Sequence, residues 1–98
     1  MKKEKGYIYI IKLGEYYKIG KSKNFRKRMG EYTQLYATPE IIIVEWVRDY
    51  HNFEKRLHRR FKKKNVRGEW FKLSRLEVLF AKILIKFKKG RKNTWQPL

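Results

Sequence analysis

Apolar and polar residues alternate in the first part of the chain and recur with helical spacing further along. Residues 7–13 and 16–20 are aromatic and β-branched runs separated by a Gly-Glu pair, which predicts a β-hairpin with a two-residue turn. The apolar run at 40–47 predicts a buried strand. A shorter extended piece is expected at 68–73.

Three helices are predicted from apolar spacing and capping residues. The first follows Asn24, a favourable N-cap, and ends before Pro39. Asp49 is expected to cap the second. The sequence Ser-Arg-Leu-Glu that begins at Ser74 is a capping box, and it predicts a third helix that runs to about Lys88. The apolar stripes of the first two helices are Phe25, Met29, Tyr32 and Tyr36, and Tyr50, Phe53, Leu57 and Phe61.

The resulting order of elements, ββαβα(β)α, predicts an α+β fold. We expect a small antiparallel three-stranded sheet flanked by helices, because a hairpin alone buries too little surface. The length of 98 residues predicts a single domain. Its core is expected at about 6–74, followed by a C-terminal helix at about 75–88 and a basic tail at 89–98.

The charge of the chain indicates the class of partner. Lys and Arg number 27 against 9 Asp and Glu, a net charge of +18, which favours a polyanion. The absence of cysteine excludes disulfide scaffolds, thiolate zinc sites and cysteine nucleophiles. No signal peptide or membrane span is evident, so we expect a cytoplasmic protein (host-cell cytoplasm if viral) that is not secreted and has no membrane partner.

The first two strands carry the first candidate chemistry. Tyr7 and Tyr9 lie on one face of the first strand. They can form an aromatic cross-strand pair with Tyr16 or Lys18, or a phenol can hold a water and lose its proton when cations are close. Tyr17 and Lys18 point to opposite faces of the second strand, and the sequence leaves open which of them shares a face with Tyr9.

The helices carry the other candidates. Arg28 and Tyr32 are four residues apart on one helix face, where a guanidinium can offer a planar fork to a phosphate. Glu54 is the single acid among seven Lys or Arg between His51 and Lys64. It can pair with His58 or a nearby Arg, or it can bind Mg²⁺. The spacing does not match a zinc motif.

The predicted partner is nucleic acid, with DNA placed ahead of RNA, and the oligomeric state is left open between monomer and homodimer. Basic and aromatic residues near the candidate site are the expected contacts, because cations bind phosphates and aromatic rings stack on bases. These expected contacts are Tyr17, Lys21, Lys23, Arg26, Lys27, Arg59, Lys62, Lys63 and Trp70.

The order and spacing of these residues resembles the GIY-YIG nuclease superfamily, in particular a branch from phages and large viruses. The resemblance covers residues 6–74. The motifs that carry it are Tyr7-Ile8-Tyr9, Lys18-Ile19-Gly20, Arg28, the helical Glu54, Leu57-His58-Arg59-Arg60-Phe61 and Gly68-Glu69-Trp70-Phe71. It implies a DNA endonuclease that depends on Mg²⁺ (or Mn²⁺) and hydrolyses phosphodiesters by in-line attack of water.

The same resemblance implies a role for each site residue. Tyr9 would be the general base or the phenol that positions water, Arg28 would stabilise the charged phosphorane, and Glu54 would be the metal ligand. These three groups are expected to open into one cleft on one side of the sheet. Tyr32 matches a position where relatives carry His or Tyr, and His58 would orient the phosphate or the leaving group.

Lys18 departs from the commonest second motif, which has Tyr at this position. Either Lys18 lowers the pKa of Tyr9, or Tyr17 supplies a second phenol through a different strand register. Two other functions remain open. One is a catalytically inactive nucleic-acid-binding module on the same fold, and the other is an unrelated ribosome-associated or RNA-binding protein.

Overall fold

The computed structural model describes the backbone of residues 3–93 and the side chains of residues 3–87. It is an α+β fold, as predicted from the sequence. Its elements are β1 (Gly6–Leu13), β2 (Tyr16–Ser22), α1 (Phe25–Leu35), β3 (Glu40–Val47), α2 (Tyr50–Arg60), a 3₁₀ turn (Lys62–Lys64), β4 (Asn65–Arg67), β5 (Trp70–Phe71) and α3 (Arg75–Asn93).

The sheet is antiparallel and has five strands in the order β3-β1-β2-β5-β4. The prediction of three strands is therefore wrong, and the order of elements gains a strand. The piece expected at 68–73 belongs to the small β4–β5 hairpin, which turns at Gly68 with a φ of 54°. Strands of three and two residues are too short to show an alternating pattern, so the sequence could not resolve them.

The side chains of β1 alternate between two separate cores. Ile8 and Ile10 pack with Phe53 of α2 and Ile85 of α3, on one face of the sheet. Tyr9 packs on the opposite face, beneath α1. The helices therefore sandwich the sheet, with α1 on one side and α2 and α3 on the other.

The helix starts follow the predicted capping chemistry in two of three cases. The Asn24 side chain accepts a hydrogen bond from the backbone N–H of Lys27, and Ser74 and Glu77 form the reciprocal capping box. Asp49 occupies the N-cap position of α2 without capping it, because its backbone is left-handed and its carboxylate accepts from the Asn52 side chain.

The C-terminal helix is longer than predicted. It continues through residues 89–93, which were expected to form a basic tail, and is described as far as Asn93. Residues 94–98 of that predicted tail lie outside the described residues. Within the described part of the chain, no helix is long and apolar enough to cross a membrane.

Gly20 and Gly30 allow a matched test of the packing between β1 and β2. A Cβ at Gly20 would lie 2.5 Å from the hydroxyl oxygen of the buried Tyr9, whereas a Cβ at Gly30 would meet no atom within 4 Å. We expect Gly20→Ala to lower the free energy of unfolding by about 1–3 kcal/mol, as overpacking does. Gly30→Ala, in a helix, should raise it by up to about 1 kcal/mol. Urea denaturation measures both, and equal midpoints for Gly20→Ala and the parent chain would contradict the packing described.

Candidate active site and nucleic-acid interface

Tyr9 is the centre of the site beneath α1. Its side chain is fully buried, and its ring lies against Gly20, its partner residue in β2. The hydroxyl oxygens of Tyr9 and Tyr32 are 3.0 Å apart and share a hydrogen bond. Phe25 packs against the Tyr9 ring with 5.4 Å between ring centroids. These contacts hold the phenol at one position between sheet and helix.

The strand register settles which residue of β2 shares a face with Tyr9. Lys18 pairs with Ile11 and lies on the Tyr9 face, whereas Tyr17 lies on the opposite face. Tyr17 belongs to the core beneath α2 and α3 and is 9% exposed. It is therefore neither a second phenol beside Tyr9 nor a surface on which a base can stack, and both of those predictions for Tyr17 are wrong.

Lys18 is held by aromatic and acidic neighbours. Its Nζ lies 5.4 Å from the ring centroid of Tyr32 and 5.2 Å from that of Trp70, on which it makes cation–π contacts. The same atom is 3.2 Å from a carboxylate oxygen of Glu69. The half-buried Trp70 is thus engaged with Lys18 within the protein.

The expected lowering of the Tyr9 pKa is wrong. Burial raises the pKa of Tyr9, and the hydrogen bond with Tyr32 raises it further, while the positive charge of Arg28 acts in the opposite direction without overcoming them. The ammonium group of Lys18 is directed to Glu69, whose negative charge also raises the pKa of Tyr9. Tyr9 therefore carries its proton at neutral pH.

Arg28 lies at the edge of the same cluster. Burial lowers the pKa of Arg28, but interactions with Tyr32 and Tyr9 outweigh burial and raise it, so the guanidinium stays charged. Its Nε is 3.3 Å from a carboxylate oxygen of Glu31, one helical turn away. The structure therefore brings Tyr9, Tyr32 and Arg28 together.

Glu54 lies in α2 with its side chain buried against β2. One carboxylate oxygen, Oε1, is 3.5 Å from Nζ of Lys21. The other, Oε2, is buried and has no hydrogen-bond partner among the described residues. His58 is 3.9 Å from Oε2 and instead donates from Nε2 to the Ile19 carbonyl, at 2.8 Å. The cation closest to Glu54 is therefore Lys21, which the sequence had assigned to nucleic acid.

The expectation that Tyr9, Arg28 and Glu54 share one side of the sheet is wrong. Tyr9 lies under α1, whereas Glu54 extends from α2 on the opposite face. Both groups nevertheless border the same part of β2, since Tyr9 covers Gly20 and Glu54 pairs with the next residue, Lys21. Strand β5 pairs with β2 at residues 17 and 18, and the N–H of Ile19 donates to the Glu69 carbonyl. Within residues 3–93, this edge of β2 therefore has no backbone partner from Gly20 onward. The two clusters flank this open edge from opposite faces.

The remaining expected nucleic-acid contacts lie at the surface. A pocket of about 260 Å³ opens beside His58. Two of the expected contacts, Arg59 and Lys62, line it together with Asn65, Gly68 and Phe71. The expected contacts with exposed side chains are Lys23, Arg26, Lys27, Arg59, Lys62 and Lys63, and Lys23 also pairs with Glu4 at 3.3 Å.

Two ion pairs at the candidate site were not predicted from the sequence. Glu69 holds Lys18, and Lys21 holds Glu54. The only signal for Glu69 was its place beside Trp70 in the Gly-Glu-Trp-Phe motif. The partners in each pair are far apart along the chain, so spacing could not reveal them.

Comparison with known proteins agrees with a small basic α+β domain of a nuclease-like or DNA-binding class. The model of the T5orf172 domain matches residues 6–88, and the chain belongs to this family. The T5orf172 domain occurs in phage and nuclease-like proteins. Neither the curated proteins nor the solved structures contain a match to this chain.

The raised pKa of Tyr9 predicts a loss of stability at high pH. The unfolded chain releases the Tyr9 proton near pH 10, about the ordinary value for tyrosine, whereas the folded chain keeps it. The stabilisation is therefore complete below about pH 10 and is lost as pH rises further. We expect the free energy of unfolding to fall less steeply between about pH 9 and 11 in Tyr9→Phe than in the parent chain. The half-exposed Tyr16 supplies the control, and a Tyr16→Phe chain with the same flattened slope would contradict the assignment.

Proposed function

We propose that this chain is a DNA endonuclease of the GIY-YIG type that hydrolyses phosphodiester bonds with the help of Mg²⁺. The observation that carries the proposal is the buried carboxylate of Glu54 with its unpartnered Oε2 atom. Burying an anion is costly unless it is paired or coordinates a metal. The ion pair with Lys21 engages Oε1, while the His58 imidazole, which donates to the Ile19 carbonyl, stays 3.9 Å from Oε2.

The donors around Glu54 are compatible with Mg²⁺. This cation typically takes one or two protein carboxylates and keeps several waters, so a lone carboxylate with a free oxygen is sufficient. Among the described residues, no group of three or more His, Cys, Asp or Glu could hold a metal, so an ion at Glu54 would take its other ligands from water and substrate. Bound at Glu54, Mg²⁺ would neutralise charge on a phosphate oxygen.

The residues beneath α1 would position the reacting groups. Tyr9 keeps its proton, so its neutral hydroxyl supports the water-positioning role rather than that of a phenolate base. Arg28 stays charged and can offer a planar fork to the phosphate in exchange for Glu31. Lys18, held by Glu69, contributes a fixed positive charge beside them.

The α2 side would bind the adjoining backbone phosphates. His58, Arg59 and Lys62 line the pocket beside β2, and exposed cations there can contact phosphates without reading sequence. A phosphodiester lying across the open edge of β2 would meet both clusters. This path makes the unpaired edge, rather than one face of the sheet, the place of cleavage.

A second candidate function is a basic nucleic-acid-binding module without catalytic activity. The observation that favours it is the placement of Tyr9 and Glu54 on opposite faces, with Lys21 already paired to Glu54. Such a module would bind polyanions through the same exposed cations. A cleavage assay on a variant of Glu54 separates the two functions.

Glu54→Gln tests the catalytic proposal. We expect it to abolish Mg²⁺-dependent nicking of supercoiled plasmid, because a neutral amide is a poor ligand for this cation, while DNA affinity changes less than about threefold. Glu15→Gln is the matched control, since Glu15 is exposed and pairs only with the surface residue Lys72. Full nicking by Glu54→Gln would exclude Glu54 as the metal ligand, whereas no nicking by the parent chain with either Mg²⁺ or Mn²⁺ would favour the non-catalytic module.

Binding should depend steeply on salt. With 27 basic residues, the chain is expected to release several counterions from duplex DNA, so log Kd should rise linearly with log salt. Removing the exposed cations Arg26 and Lys27 together should lower the slope by roughly 2, since each phosphate contact contributes about one unit. Fluorescence anisotropy measures the slope, and Tyr17→Phe, in the core, serves as control. If replacing Arg26 and Lys27 by alanine leaves the slope unchanged, α1 is not part of the DNA interface.

A further inference from the structure

Basic residues are absent from one continuous segment of the chain. Residues 29–47 contain three Glu and no Lys or Arg, so all 27 basic residues lie outside them. The segment forms most of α1 and the whole of β3. We refer to residues 29–47 as the basic-free surface. In a chain with a net charge of +18, this surface is the part least suited to nucleic acid.

The basic-free surface includes an open strand edge. Strand β3 stands at the end of the sheet, is eight residues long, and pairs only with β1 within residues 3–93. Unpaired edges of this length invite pairing with another chain. Large apolar side chains are exposed beside the edge and on α1, namely Leu35 (72%), Tyr36 (65%), Ile41 (51%) and Trp46 (44%).

We propose that a second copy of this chain pairs with β3 through its own β3, antiparallel, to form one continuous sheet across a dimer. An antiparallel pair of identical strands has two-fold symmetry, the commonest symmetry of soluble oligomers. Opposite residues of such a pair share a face of the sheet, so the two-fold axis must pass beside one residue. Pairing centred on Val44 sets Glu45 opposite the copy's Ile43 and leaves Glu40 beyond the pair formed by Ile41 and the copy's Val47. No two carboxylates then face each other directly, although both strands carry acids.

Charge selects this surface over the other exposed apolar stripe. That stripe lies on α3, where Leu76, Leu79, Ile83 and Phe87 are exposed. Lys82 and Lys86 lie among these positions, so two copies meeting there would bring like charges together. At the basic-free surface, two copies can meet without placing Lys or Arg side chains of this segment against each other. The basic surfaces on α1, α2 and the β2 edge remain available to DNA in such a dimer.

Sedimentation velocity of the full chain, freed of nucleic acid, tests the proposal at about 100 μM protein and 0.3 M NaCl, where the Debye length is below about 8 Å. We expect the mass of a dimer for the parent chain, a monomer for Ile41→Lys, and a dimer for Leu76→Lys. A monomeric parent chain overturns the proposal. So does the reverse pattern, in which Leu76→Lys alone dissociates, because it places the interface on α3.

A second measurement does not depend on a destabilising substitution. Because the chain has no cysteine, Ile41→Cys introduces a single thiol at the proposed interface and Leu76→Cys introduces one on α3. A flexible bis-maleimide should link Ile41→Cys into covalent dimers at least fivefold more efficiently than Leu76→Cys. Equal yields from the two variants overturn the proposal. Circular dichroism confirms that each variant is folded.

Discussion

The contact between the Tyr9 ring and Gly20 determines where the functional groups lie. A fully buried tyrosine needs a residue without a side chain beneath it and a polar partner for its hydroxyl, and Gly20 and Tyr32 supply these. Since Tyr32 belongs to α1, the shared hydrogen bond ties the helix to the hairpin. Because Arg28 lies one helical turn before Tyr32, this hydrogen bond also brings Arg28 close to the two tyrosine hydroxyls. The burial that fixes the position of the Tyr9 ring also raises the pKa of its hydroxyl, so the packing of Tyr9 keeps it protonated.

Alternation along the hairpin then divides the site between two faces. The residues that flank Gly20 in β2 point away from Tyr9, so Lys21 reaches Glu54 on α2. Ile19 uses its backbone carbonyl to accept from His58 and thereby holds α2 against the strand. The two groups of residues border β2 from opposite faces, beside the part of its edge that β5 does not cover. The shortness of β5 leaves that part of the edge open, and a longer strand would close it.

The sequence predicted what depends on local pattern. Alternation, helical spacing and capping residues predicted the hairpin, β3, the starts of α1 and α3, and the shared helix face of Arg28 and Tyr32. The placement of Tyr9 beside Arg28 came from the resemblance. The sequence did not predict β4 and β5, which are shorter than one period of alternation. Nor did it predict the face on which α2 packs, because the resemblance supplied a list of site residues without their placement relative to the sheet. The resemblance therefore implied one cleft, whereas the connection from β3 to α2 puts Glu54 on the other side.

The excess of positive charge explains how the few acids are used. Glu4, Glu15, Glu31, Glu54, Glu69 and Glu77 each lie within 4 Å of a cationic nitrogen. Exposed ion pairs add little to the free energy of unfolding. They do fix the direction of individual side chains such as Lys18. The remaining cations repel one another in the folded chain and are relieved only by a polyanion or by salt. Binding of a polyanion would therefore be coupled to stability, and a surface without cations is the part of the fold where a protein contact brings no further basic side chains face to face.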